Sequence, residues 1–247
     1  MGVVRKIKNL IRRIVFTFLK PETKIITTFR QNSYSQAGED AVLTFLFADK
    51  KIQKISYLDI GTNIPDYGNN TYLFYNRGSR GVCVEADASL IPAIKEKRPE
   101  DIVLHLGVNL TDGEESEADF YVFNEPALNT FDREEALARQ SQGTFKIVRT
   151  DKVKLVSLAQ IIERYCEGLP DFLSIDIEGL DLAVLKAVDL KKYPIPVICA
   201  ETCTYSENHI RPKDRSVIDY MLTQGYFVYA DTYINTIFVN EKWFLKI

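Results

Sequence analysis

The chain has 247 residues, of which 46% are hydrophobic and 26% charged. That fits a soluble globular protein with one α/β domain and a sizeable core. A net charge of −3 argues against nucleic acid as the main partner.

The charge is unevenly placed. Residues 1–20 contain Arg5, Lys6, Lys8, Arg12, Arg13 and Lys20 and no acid, a charge of +6 that leaves −9 on the rest. At about 100° per residue, Val3, Ile7, Ile11, Ile14, Phe18 and Leu19 fall on one half of a helix and most of the cations on the other. This is the pattern of a helix lying on an anionic membrane surface; the same pattern suits packing on the domain or on a dimer partner. The apolar run 14–19 is too short to span a bilayer, and no signal-peptide pattern is present. Pro21 ends the helix, and residues 21–34 read as a polar connector to a domain over 35–247.

Ser35-Gln36-Ala37-Gly38-Glu39-Asp40 precedes a helix with acids in its first turn. A short apolar strand, 55–60, stops at Gly61-Thr62-Asn63. Asn69-Asn70-Thr71 offers an N-cap for a helix over 71–77, stopped by Gly78. A second strand, 81–86, carries Glu85 near its end, a helix runs from Ser89 to Lys97, and 102–108 reads as a third strand. The segment 109–154 is less regular, with strands expected near 118–123 and 145–148 and a charged helix over 132–140. It reads as an insertion over the crevice, where substrate loops sit. Ser157 caps a helix over 158–166, a buried strand, 172–175, ends at Asp176, and a helix follows over 180–189. Another buried strand, 197–200, ends at Glu201. After a helix near 214–224 come strands at 225–230 and 236–239, joined so closely that they must be antiparallel. Parallel βα units ending in an antiparallel hairpin make the seven-stranded, doubly wound, Rossmann-like form found in methyltransferases.

Cys83, Cys166, Cys199 and Cys203 lack metal-site spacing. Cys199 and Cys203 close a ring only with special geometry, so reduced thiols and a cytosolic protein are expected.

In an open parallel sheet the ligand sits beyond the carboxyl ends of the strands, at the switch point. The first loop lacks the second and third glycines of the dinucleotide fingerprint G-x-G-x-x-G. Asp59 would also set negative charge close to a pyrophosphate. A D-x-G-x-N loop suits a cofactor with an ammonium group and no phosphate, which points to S-adenosylmethionine. Asp59 then faces the methionyl amine and Glu85 the ribose hydroxyls, with Gly61, Thr62 and Asn63 forming the loop between.

The blocks Ser35 to Asp40, Tyr57-Leu58-Asp59-Ile60-Gly61-Thr62-Asn63, Asn69-Asn70-Thr71 and Phe172-Leu173-Ser174-Ile175-Asp176-Ile177-Glu178-Gly179 resemble the FkbM-type methyltransferases, in the family's order. The resemblance spans residues 33 to about 240. It implies O-methyl transfer from S-adenosylmethionine, commonly onto a sugar hydroxyl of a glycan or glycosylated natural product, and carries Gln36 over as a cofactor-shell residue. Two departures stand out: the loop Asn63-Ile64-Pro65-Asp66-Tyr67 replaces a simpler Gly-rich turn, and Asp181 stands where Glu is commoner.

A sugar hydroxyl needs a base or a metal to share its proton. His209 or Glu201 is the expected base, with Asp176 orienting the cofactor amine or the substrate. A divalent cation on Asp176, Glu178 and Glu201 is the alternative, since oxygen ligands suit Mg²⁺. Plainer readings exist: Glu178 as a helix-start charge, His209 as a surface residue, His105 as a satisfied core histidine. Asn129-Thr130-Phe131 and the Tyr-rich 226–233 are candidate acceptor-site walls. The leading expectation is a glycan-directed O-methyltransferase at the cytosolic face of a membrane, concentrated there by residues 1–20. Its rivals are a soluble O-methyltransferase of a polyketide or glycolipid headgroup and a catalytically silent binding module.

Overall fold

The computed structural model describes residues 32–111, 113, 115–125, 128–177, 179–203 and 213–246. The basic segment 1–20, Glu178 and His209 lie outside them. From Ser33 the chain forms α1 (Glu39–Asp49), β1 (Ser56–Ile60), α2 (Tyr72–Asn76), β2 (Arg80–Glu85), α3 (Ile91–Lys97) and β3 (Ile102–His105). Next come β4 (Gly107–Asn109), β5 (Ser116–Phe123), α4 (Arg133–Ser141), β6 (Ile147–Ser157), α5 (Leu158–Tyr165) and β7 (Phe172–Ile175). The close is α6 (Asp181–Ala187), β8 (Val197–Glu201), α7 (Arg215–Thr223), β9 (Tyr226–Asp231), β10 (Asn235–Asn240) and α8 (Glu241–Phe244).

The main sheet has seven strands in the order β3-β2-β1-β7-β8-β10-β9. The first five run parallel, and β10 lies antiparallel to both β8 and β9. Strand order reverses between β1 and β7, so the crevice opens beyond Ile60 and Ile175. Both faces are covered, which is why the central strands read as unbroken apolar runs. Leu58 and Ile60 pack with Ile161 and Ile162 of α5, Val184 of α6 and Met221 of α7. Tyr57 and Phe172 face Leu43 and Phe47 of α1 and Phe74 of α2. Each such buried side chain contributes roughly 1.5–3 kcal/mol.

Side chains alternate along strands, so one row crosses the α1/α2 face at Cys83, Asp59, Ser174 and Cys199, which are register partners. Two residues further along lie Glu85, Gly61, Asp176 and Glu201. This spacing sets three acids at one edge with a glycine between two of them.

A smaller sheet, β4-β6-β5, is built from the insertion, with β5 antiparallel and β4 parallel to β6. It corrects two expectations. The strand expected over 102–108 divides at Leu106, whose N–H still bonds Glu85 O before the chain leaves the main sheet. Gly107 permits the break, since a Cβ there would sit 2.5 Å from the Phe131 ring. The strand expected at 145–148 is instead the long β6; its charged Asp151, Lys152 and Lys154 hid an alternation visible in its burial. His105 is exposed on the edge strand β3, its Nε2 3.1 Å from Ala86 O, and is not a core histidine.

The Ser157 cap forms as a full capping box with Gln160. The cap of α2 comes from Asn69, whose Oδ1 accepts from Thr71 N at 3.0 Å and Tyr72 N at 2.8 Å. None of the four cysteines forms a disulfide.

Candidate active site

A cavity of about 450 Å³ lies beyond the carboxyl ends of β1, β2 and β7. It brings together Gln36, Asp59, Gly61, Thr62, Asn63, Glu85 and Asp176 on its wall. Glu201 ends β8 half-buried and does not line it. The insertion supplies Phe120, Asn129, Thr130 and Phe131 to the same wall, whereas 226–233 supplies nothing.

Asp59 is 2% exposed. Its Oδ2 accepts from Asn69 Nδ2 at 2.9 Å and Thr71 Oγ1 at 2.8 Å, and pairs with Arg98 at 3.3 Å. Its Oδ1 takes no hydrogen bond from the described residues, so one face of the carboxylate is held while the other is left to the cavity. Arg98 is completely buried and had not been singled out from the sequence. Its Nε donates to Asp101 at 2.7 Å and one terminal nitrogen to Thr71 Oγ1 at 2.8 Å. Burial works against its charge, but Cys83, Asp59, Tyr57 and Asp101 outweigh that and raise its pKa. Tyr57 donates to the same Asp101 carboxylate at 2.7 and 2.8 Å. A buried acid needs such a partner, but here the partner comes from a polar stretch 39 residues away.

Gly61 has φ +80°, and a Cβ there would lie 2.0 Å from Asp176 O. The β1 and β7 loops therefore touch backbone to backbone, and only glycine fits. Asn63 follows in the left-handed region at φ 52°, which turns its N–H onto Glu85 Oε2 at 2.8 Å. Glu85 Oε1 accepts from Asp87 N at 2.7 Å. Burial pushes the Glu85 pKa up against these two donors.

Asp87 ties the main sheet to the insertion: Asn129 Nδ2 donates to it at 3.2 Å, and Arg149 makes an ion pair with it. Burial pushes its pKa up, but the Ser89 donors and the Arg149 charge win and hold it below the ordinary value. Asp40 is buried and gathers Tyr34 N at 2.7 Å and the hydroxyls of Ser33 and Ser35. That anchors the turn that brings exposed Gln36 to the cavity.

Among the described residues, no three His, Cys, Asp or Glu side chains come together as metal ligands. Of the possible trio, Asp176 lines the cavity, Glu201 does not, and Glu178 lies outside the description. Among those residues, too, the wall carries four carboxylates (Asp59, Glu85, Glu125 and Asp176) and no Lys, Arg or His.

The methyltransferase FkbM domain matches residues 59–228, from Asp59 at the end of β1 into β9. The chain belongs to the FkbM methyltransferase family. It is an S-adenosylmethionine-dependent methyltransferase. No curated protein matches it significantly. Among solved structures it resembles an O-methyltransferase from Bacillus cereus in complex with S-adenosylhomocysteine at 14% identity, covering 93% of this chain and 96% of that one, TM-score 0.42. It also resembles a TehB-like methyltransferase from Corynebacterium glutamicum (10% identity, 95% and 97% coverage, TM-score 0.39). A third is magnesium protoporphyrin IX methyltransferase from Synechocystis with bound S-adenosylmethionine (9%, 93% and 94%, TM-score 0.42).

The cavity of this FkbM methyltransferase fits that cofactor. Gly61 lets the β1 and β7 loops close on each other, Glu85 is held on the wall by two backbone donors, and Asp59 is held through its Oδ2.

Proposed function

We propose that this chain methylates a sugar hydroxyl on a cell-surface or lipid-linked glycan. The observation that carries the reading is the wall of carboxylates without a cationic side chain among the described residues. Such a wall suits an uncharged, hydroxyl-rich acceptor beside a cationic donor and disfavours phosphorylated or carboxylated acceptors. Asn129, Thr130 and Phe131 fit the role of acceptor contacts, offering polar groups beside an aromatic ring.

Bound S-adenosylmethionine supplies an electrophilic methyl group on a sulfonium. Glu85 holds the ribose hydroxyls, and Asp59 and Asp176 hold the amino-acid end. The acceptor proton goes to His209, because imidazole titrates near neutral pH and Glu201 stands off the cavity wall. A divalent cation has no assigned role in this reading. Residues 1–20 carry the enzyme to an anionic membrane surface on the cytosolic side; no helix among the described residues is long and apolar enough to cross a membrane.

The test is transfer of radiolabelled methyl from S-adenosylmethionine to fractionated cell extract, followed by acid hydrolysis. Label in a neutral O-methyl monosaccharide supports the reading, and label confined to a non-glycosylated small molecule contradicts it. His209→Ala should lower kcat about 10²–10⁴-fold with S-adenosylhomocysteine binding unchanged. Deleting residues 1–20 should abolish sedimentation with anionic liposomes.

A further inference from the structure

Asn70 stands beside Asp59 in the same cavity wall and has no part in the account above. It is 6% exposed, and its Oδ1 is buried without a hydrogen-bond partner. A buried acceptor of this kind is costly to leave unmet. The cap of α2 does not use it, since Asn69 performs that task with bonds of 2.8–3.0 Å. The Asn70 Nδ2 is held only loosely, 3.2 Å from Ser174 Oγ and 3.8 Å from Cys199 Sγ. Those two residues lie in the row that continues from Asp59 across β7 and β8. Asn70 therefore bridges the α2 loop to the floor of the switch point, its Nδ2 turned to β7 and β8 and its Oδ1 left without a donor.

An unmet carbonyl oxygen calls for a donor. Of the donors on the cofactor, the ribose hydroxyls belong with Glu85, across β1 on the β2 side. The α-ammonium belongs on the side where Asp59 Oδ1 and Asp176 also face the cavity. An ammonium offers three protons, more than one carboxylate oxygen can take.

We propose that Asn70 is a cofactor-contacting residue whose carboxamide oxygen accepts a hydrogen bond from the α-ammonium of S-adenosylmethionine, beside Asp59. The assignment rests on the cofactor reading and narrows it to one group of the ligand. It makes Asn70 a discriminator of the amino-acid end, with no influence on the adenosine end.

The test is calorimetric titration of the full chain and its Asn70→Ala variant with three ligands. These are S-adenosylhomocysteine, its analogue with hydrogen in place of the amine, and 5′-methylthioadenosine, which lacks the amino-acid end. Asn70→Ala should raise the Kd for S-adenosylhomocysteine about ten- to hundredfold, the range for a hydrogen bond to a charged group. It should leave the other two within about twofold. Asn70→Ser, a residue tolerated ahead of a helix and too short to reach the ammonium, should behave alike. Equal weakening of all three ligands in both variants would overturn the proposal in favour of a structural role for Asn70. An unchanged Kd for S-adenosylhomocysteine would overturn it as well. Wild-type protein that binds none of the three would overturn the cofactor reading itself and the assignment with it.

Discussion

Asp59 and Glu85 line the same cavity, yet among the described residues only Asp59 has a cation beside it. Asp59 is held by Arg98, which is also committed to Asp101. Removing the guanidinium leaves two buried carboxylates without their cation, a change that costs about 3–5 kcal/mol. Arg98→Met should lower the free energy of urea unfolding by that amount; a loss under 1 kcal/mol would contradict the network. Among the described residues no cation pairs with Glu85, and burial raises its pKa above the ordinary 4.5. In the proposed site Glu85 accepts from the ribose hydroxyls best when ionised, so affinity for S-adenosylhomocysteine should fall as pH drops through a window above 4.5 and stay flat above it. Asp87 and Glu39 are shifted down against the upward push of burial, so both stay ionised through that window. Glu85→Gln should bind weakly with a flat profile. The same slope in that variant would assign the titration elsewhere. The places of Asp59, Glu85 and Asp176 on the cavity wall were legible because each follows an apolar run that had to be a buried strand. Arg98 was not: just before Pro99, among charged neighbours, it reads as an exposed helix end. His209 and Glu178 lie outside the described residues; the role expected of His209 stands as a proposal.

At the scale of elements, the site depends on the loop after β1 meeting the loop after β7. Gly61 makes that meeting possible, since any Cβ would fall on Asp176 O. Gly61→Ala must shift one loop and leave a residue at φ +80°, a conformation that itself costs of order 1–3 kcal/mol. The variant should lose stability by at least that much and S-adenosylhomocysteine affinity by more than tenfold. Wild-type affinity would show that the contact does not shape the site. The parallel strands and the C-terminal hairpin were legible from short apolar runs closed by an acid or glycine. The division at Leu106 was not, because apart from His105 the run 102–108 is apolar and Gly107 acts only through Phe131, a distant residue. Nor was β6 legible over its full length, because charges stand on both of its faces, Arg149 and Asp151 on one and Lys152 and Lys154 on the other.

For the molecule as a whole, the doubly wound sheet places its switch point under the insertion. The cavity is therefore walled by two sheets at once. Asp87 joins them through Asn129 and Arg149, so the insertion is fastened to the strand that carries Glu85. The measurement that tests the central claim most directly is calorimetric titration with S-adenosylhomocysteine, with and without EDTA, for wild type and Asp59→Ala. Micromolar binding that survives EDTA and is lost in the variant is the predicted result. Equal binding by the variant would remove Asp59 from the site, and no binding by the wild type would contradict the account at its base.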